Sequence, residues 1–384
     1  MGKPEPIDDP LPPIELVDGE PVFRVFVLGT GNAGKTVFLA SLYKQLSLFN
    51  RRNYYRVWLD SDEQRDSLQG KYEEIARPDA DWPTGTLGPT DYDFRCFYPV
   101  RNVDFEIFRF RYADYRGGAV AGKRLSQDSF SVRDACKAAH TILVLIDGHK
   151  VYNKLNHIDD GGPTIDDDFN ATLDIIQPWI RRPLQFVISK HDLLTGYDLQ
   201  TIRAALLGHR GFRDVVDYRR ELAIATHLIP VSAVGPDFAV WDARAGKMRK
   251  KAGASPDPYN IDLTLSLTIS DALLTRFKQE ESQADVFRRT LIKAAIYGRK
   301  GFNILMNLLP WIPEDIWVLR IVALWNAIDG RLNKQLSTIE EEINARTARI
   351  KDKNSAIDGI IQVQRLLHTK FYQANRASNL LEDA

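Results

Sequence analysis

The chain has 384 residues, of which 44% are hydrophobic and 27% charged; this is more than one ordinary domain needs and enough to bury a large core. Its 51 Lys and Arg balance 51 Asp and Glu to a formal net charge of +0, so no global field draws it toward nucleic acid or an anionic membrane, and no nucleic-acid partner is expected. Two cysteines, Cys96 and Cys136, are too few for a disulfide framework and suggest a reducing interior, so the expected compartment is the cytoplasm.

Residues 1–20 are rich in Pro, Asp and Glu, lack the apolar core of a signal peptide, and are expected to be a solvated tail. The run Val22, Phe23, Val25, Phe26, Val27 and Leu28 then predicts a buried strand, and Val37 to Leu48 predicts a helix. Between them Gly29-Thr30-Gly31-Asn32-Ala33-Gly34-Lys35-Thr36 fits the pattern G-x-x-x-x-G-K-[ST] at every fixed position, in the strand, loop and helix context that the pattern requires. In such a loop the backbone wraps a polyphosphate and the helix N-terminus favours its charge. The candidate binding set is therefore Gly29, Asn32, Ala33, Gly34, Lys35, Thr36 and Val37, with Lys35 on the β- and γ-phosphates and the Thr36 hydroxyl on Mg²⁺.

Residues 51–80 are strongly charged and read as a connection with helical pieces, followed by a loop dense in Gly, Pro and Thr over 82–90. Two apolar-rich runs, Tyr92 to Val100 and Val103 to Tyr112, flank Arg101-Asn102 and predict an antiparallel hairpin. The second run ends in Ala113-Asp114-Tyr115-Arg116-Gly117-Gly118, where Asp114 and Gly117 have the spacing of a γ-phosphate sensor: the carboxylate on Mg²⁺ through water, the Gly117 N–H on the phosphate. Further strands are predicted at 141–146, 184–188 and 227–231, with helical spacing at 126–139, 169–181 and 199–207. This alternation predicts an α/β fold: a mostly parallel sheet, helices on both faces, and ligands at the strands' carboxyl ends.

Two of those ends carry Ser189-Lys190-His191-Asp192 and Ser232-Ala233. With the phosphate loop and Asp114-x-x-Gly117, they resemble in order the boxes of Ras-like P-loop GTPases of the translation-factor-related class, over roughly residues 22–280. The resemblance implies a GTPase acting on GTP with Mg²⁺, in which Asp192 accepts from guanine, Lys190 lies over the ring, and the Ala233 N–H meets the guanine oxygen. Ser189 stands where the family has Asn or Thr, which loosens the expected choice of guanine over adenine. The resemblance also implies a switch threonine binding Mg²⁺ and the γ-phosphate; Thr90 fits best by position, then Thr86, then Thr84. The family's water-orienting Gln is replaced by Gly118, so intrinsic hydrolysis is expected to be slow, with Arg116 as a candidate local substitute. The segment Trp82-Pro83-Thr84-Gly85-Thr86 and the later Pro258-Tyr259-Asn260-Ile261 look similar to bacterial large stand-alone GTPases of the double-GTPase type, associated with conflict and defence gene neighbourhoods.

The expected division is a GTPase domain over 21–280, with insertions near 51–90 and 236–260, and a helical region over 281–384. Residues 302–328 are apolar, but Pro310, Pro313, Glu314, Asp315 and Arg320 break any membrane-length run; a packed helical hairpin is expected, with peripheral membrane contact as the alternative. Leu336, Ile343, Ile350 and Ile357 recur every seven residues and predict a coiled-coil-like helix, to fold back on the domain or take a protein partner. Arg244, Lys247, Arg249, Lys250 and Lys251 are expected to be a solvated insertion, and Asp166-Asp167-Asp168 a helix N-terminal charge cluster. The His residues show no ligand spacing with the cysteines, and no zinc is expected. The expected function is a nucleotide-controlled switch, with a GTP-binding scaffold that does not turn over, or a dynamin-like mechanochemical enzyme, as alternatives.

Overall fold

The computed structural model describes residues 12–13, 15–18, 20–48, 55–85, 90–100, 103–114, 127–159, 162–222, 224, 226–242, 244–268, 371–373 and 375–380. At its centre is β2 (Glu20–Leu28), where the alternation of Phe23, Val25 and Val27 with Phe26 and Leu28 supplies apolar side chains to both faces. A short strand β1 (Glu15–Val17) lies antiparallel to its beginning. The chain then passes through helix α1 (Lys35–Ser47), β3 (Arg56–Leu59) and α2 (Asp62–Ala76) to the long hairpin of β4 (Thr90–Val100) and β5 (Val103–Asp114). Helix α3 (Gln127–Ala138), β6 (Thr141–Asp147), α4 (Gly148–Leu155), α5 (Ile165–Ile176) and β7 (Leu184–Ser189) follow. Helices α6 (Leu199–Leu207) and α7 (Arg210–Glu221) lead to β8 (Thr226–Pro230) and the small hairpin of β9 (Ala239–Asp242) and β10 (Lys247–Lys250).

The main sheet runs β3-β4-β5-β2-β6-β7-β8, with β1 beside β2. From β5 to β8 all neighbours are parallel, whereas β3, β4 and β5 pair antiparallel, with an irregularity between Cys96 and Phe97. Because the chain builds outward from β2 in one direction toward β5 and in the other toward β6, its switch point lies at the carboxyl end of β2. One face buries Phe38, Leu39, Leu42 and Leu46 of α1 against Tyr92, Phe94, Phe110 and Tyr112. The opposite face packs Phe26, Leu28, Ile142 and Phe186 against α3, α5, α6 and α7, as through Phe169 and Phe212.

The predicted strands and the hairpin are present, with four differences. Part of the stretch expected to be a solvated tail is in the sheet, Glu15–Val17 pairing with β2 as β1. Residues 51–80 hold a sheet-edge strand, β3, besides the helix capped by the Ser61 side chain. The helix expected over 169–181 starts earlier, at a Thr164–Asp167 capping box, and gives way at Pro178 to a short 3-10 turn, Gln177–Trp179. Helices α4 and α7 were not anticipated. The first follows β6 without a loop, and the second is so charged that only Phe212, Val215, Val216 and Arg219 face inward.

The two insertions pack on each other. Trp82 Nε1 donates to the Met248 carbonyl at 2.8 Å, its ring meets Phe238 edge-on, and Lys250 lies over it while bonding carbonyls at the end of α2. Lys250 is thus a fastening in a cluster expected to be merely solvated. Residues 371–380 also belong to this body: Phe371 and Leu380 are buried in opposite cores, Asn379 bridges His227 of β8, and the Leu380 N–H donates to the Thr226 carbonyl at 3.1 Å. The hairpin and coiled-coil-like helix expected over 302–367 lie outside the described residues. Among the described residues no helix is long and apolar enough to cross a membrane.

Two buried arginines tie the far side together. Arg182 donates to the carbonyls of Cys136, Lys137 and Ala139 at 2.6 Å each, and Arg219 donates to the Thr226 hydroxyl at 2.6 Å and the Arg182 carbonyl at 2.7 Å. Replacing Arg219 by Met keeps the apolar volume and strands these acceptors, each costing about 1–3 kcal/mol when left unpaired. Arg219→Met is expected to destabilise the fold by about 3 kcal/mol, read as a lower urea midpoint with an unchanged slope.

Candidate functional site

The loop from Gly29 to Thr36 sits at the switch point, between the carboxyl end of β2 and the first turn of α1. Its shape depends on left-handed backbone at two places: Asn32 at φ 66° and Gly34, the residue that caps α1, at φ 83°. A side chain at Gly34 would be strained although space around it is open, so the glycine is there for its backbone. Gly31 and Asn32 are exposed, while Ala33, Lys35 and Thr36 are buried. Lys35 Nζ folds back onto its own loop, donating to the Gly29 carbonyl at 2.7 Å and the Thr30 carbonyl at 3.1 Å. Burial pulls its pKa down to about 8, against the opposing pull of the carboxylates of Asp114 and Asp168. An amine that is partly neutral and bonded only to carbonyls would gain most from a polyanion in the loop.

Asp168 explains the loop's back wall. Third in the acidic run at the start of α5, it accepts from the Thr30 hydroxyl at 2.7 Å and pairs with Lys150 of α4 at 2.8 Å. Asp167 caps the helix, as the sequence suggested for the cluster, but Asp168 is also built into the phosphate loop's support.

Asp114 ends β5, nearly fully buried, in register with Val27 of β2 on one side and with Thr90 of β4 on the other. Pairing thus sets Thr90 directly across from Asp114. Thr84 is exposed, two residues beyond the anchored Trp82, and Thr86, Arg116, Gly117 and Gly118 lie outside the described residues. A hydroxyl from Thr36, a carboxylate from Asp114 and a hydroxyl from Thr90 are the hard oxygen donors that Mg²⁺ takes, one or two at a time, beside a nucleotide's phosphates. Among the described residues there is no cluster of three acidic, His or Cys side chains that could hold a metal ion.

The ends of β6, β7 and β8 are tied to one another beside the loop. Ser189 is buried in register with Asp147, and its Oγ donates to the Ile146 carbonyl at 3.0 Å. Lys190 adopts left-handed backbone, φ 49°, and its ammonium meets the buried Asp147 carboxylate at 2.9 Å. Asp192 is buried and accepts from the Ser232 hydroxyl at 2.6 Å; burial raises its pKa while that bond lowers it. Ser232 Oγ in turn accepts the Gly235 N–H at 2.8 Å, shaping the loop that presents Ala233. Gly148 allows the close approach of these loops. A Cβ there would lie 2.2 Å from the Ser189 carbonyl oxygen and 2.9 Å from that of Lys190.

The phosphate loop, Asp114 with Thr90, and the Ser189–Asp192 and Ser232–Ala233 segments therefore all occupy the carboxyl edge of one sheet. Sequence reasoning passed over Asp147, Gly148, the Thr30–Asp168 bond and the stacking of Trp241 of β9 on His149 of α4, with centroids 3.5 Å apart. The Asp147-Gly148 pair at a strand's end was the available signal for the first two; the others depend on contacts between distant segments.

No protein-family model matches the chain, and a search of curated proteins finds no match. Among solved structures it is similar to the signal recognition particle receptor SRb, in a complex of SRb-GTP with SRX from Chaetomium thermophilum, at 14% identity and TM-score 0.35, covering 56% of this chain and 91% of that one. It is similar also to translation elongation factor SelB from Methanococcus maripaludis in complex with the GTP analogue GppNHp, at 14% identity and TM-score 0.27, over 55% of this chain but only 30% of that one. A third is the G domain of the T. maritima FeoB iron transporter, at 14% identity and TM-score 0.26, covering 55% and 88%. These likenesses are too slight to bear on activity. The strand order, the antiparallel hairpin beside β2 and the loop at its carboxyl end themselves give the described body the Ras-like P-loop GTPase fold.

Proposed function

We propose that the chain binds GTP and GDP and hydrolyses GTP slowly, acting as a switch. The observation that carries this is Asp192: a buried carboxylate, held by Ser232 at the end of β7, on the same sheet edge as the phosphate loop. Guanine presents two adjacent N–H donors to such a carboxylate, whereas adenine leaves it unpaired at a cost of about 1–3 kcal/mol or more. Lys190, its ammonium held by Asp147, would lay its stem along the base. In the phosphate loop Lys35 exchanges its two loop carbonyls for phosphate oxygens. Mg²⁺, held by Thr36, Asp114 and Thr90, would neutralise charge on the β- and γ-phosphates.

Slow turnover is proposed because Gly118 has no side chain with which to orient water, and an arginine supplied by a partner raises turnover in such enzymes by about 10³ to 10⁵. The C-terminal region is the proposed partner surface.

Titrating the full chain with GTP, ATP and XTP tests the base. The wild type is expected to prefer GTP, and Asp192→Asn to move preference toward XTP, because one acceptor becomes a donor; a preference for ATP in both forms would refute the proposal. For the phosphate loop, Lys35→Ala should weaken GTP binding by about 10- to 100-fold, the range for one charge-assisted hydrogen bond. A bound polyphosphate raises the Lys35 pKa from about 8, so wild-type affinity should fall as pH rises above that value. Calorimetry at that pH in buffers of different ionisation enthalpy should show proton uptake on binding by the wild type and not by the variant. Single-turnover hydrolysis with Mg²⁺ should be slow without a partner; rapid unaided turnover would remove the role given to Gly118.

A further inference from the structure

Ser189 stands where a longer amide would reach across to neighbouring loops, and its hydroxyl is spent on the Ile146 carbonyl, at 3.0 Å within the sheet. The Ser232–Asp192 bond joins the two segments directly, and a second link between them comes from the insertion. Tyr259 forms a two-way backbone bridge with Ser232, its N–H donating to the Ser232 carbonyl at 3.0 Å and its carbonyl accepting the Ser232 N–H at 3.3 Å. Its phenol reaches the other segment, with the hydroxyl 2.8 Å from Nδ1 of His191, the residue between Lys190 and Asp192. The His191 N–H donates to the Val231 carbonyl at 3.1 Å, and Asn260, in left-handed backbone at φ 57°, anchors the same turn through Nδ2 to the Pro230 carbonyl at 2.9 Å.

From this geometry we infer that Tyr259, acting through His191, is a positioning residue for recognition of the base. It fastens the segment that carries Asp192 to the segment that carries Ser232 and Ala233. Asp192 has one oxygen on Ser232, so its aim toward two base N–H groups depends on both segments keeping their places. The inference rests on the guanine-nucleotide function proposed above. It adds that base discrimination is set partly from residues near 258–260, outside the segments that would touch the nucleotide.

The test is Tyr259→Phe in the full chain, which removes one hydroxyl and keeps the ring and the backbone bridge. Dissociation constants for GTP, GDP and ATP are measured with Mg²⁺. GTP and GDP should weaken by about three- to tenfold, the range for one hydrogen bond, while ATP binding, which draws on the phosphate loop, stays unchanged. The GTP-to-ATP affinity ratio should therefore fall by the same factor. In an Asp192→Asn background the substitution should have no further effect on GTP. His191→Phe, which cuts the same link from the other end, should reproduce the loss. An unaltered ratio, or equal weakening of GTP and ATP as from general loosening, would overturn the inference while leaving guanine binding intact. A wild type without any guanine preference would overturn both.

Discussion

Strand β2 is hydrogen-bonded on both sides to parallel neighbours, and the rest of the molecule depends on that constraint. Parallel pairing to β5 brings Asp114 level with Val27, and parallel pairing to β6 sets Leu143 level with the same residue. Strands that run the same way end on the same edge, so every loop that follows them opens toward one place. Such strands need crossovers, and the helices that make them cover both faces, which is why β2 is apolar on both sides. The chemistry is therefore collected by the ladder: Asp114, Asp147 and Ser189 are the last residues of their strands, and Lys35, Asp192 and Ser232 lie in or just beyond the loops that follow.

Holding polar groups at that edge costs free energy that the rest of the body offsets. Asn32, Gly34 and Lys190 sit in left-handed backbone, and Lys35, Asp114, Asp147, Asp168 and Asp192 are all taken largely out of water. The described partners are internal ones: Lys35 on carbonyls, Asp168 on Thr30 and Lys150, Asp147 on Lys190, Asp192 on Ser232. Many of these bonds link one strand's loop to another's, so the loops support each other. The close packing at Gly148 leaves them no room to separate by a methyl group.

Much of this could be read from residue patterns because the local requirements are strict. A glycine loop between a buried strand and a helix, an acid at a strand's end, and alternating apolar runs each carry their own structure. Strand β3 was missed because Arg56-Val57-Trp58-Leu59 is four residues long in a charged stretch and owes its conformation to pairing with β4. Helix α7 was missed because its outward face is almost wholly charged. The basic cluster near Lys250 read as a solvated loop because its partners, Trp82 and the end of α2, come from another insertion. For the same reason His191 and Tyr259, 68 positions apart in sequence, gave no local sign of their contact.

The return of residues 371–380 to the sheet has a consequence for how the protein is made. Leu380 fills the core behind β8 and Phe371 the core in front of it, so both sides of the domain include residues from beyond the long stretch at 269–370. During synthesis the phosphate loop and all seven strands from β2 to β8 emerge first, with the β8 edge still lacking Asn379. The domain can finish packing only after residue 380 has left the ribosome. Until then the His227–Asn379 bridge on the β8 edge cannot form, and an incompletely paired sheet edge is where edge-to-edge misassembly is favoured.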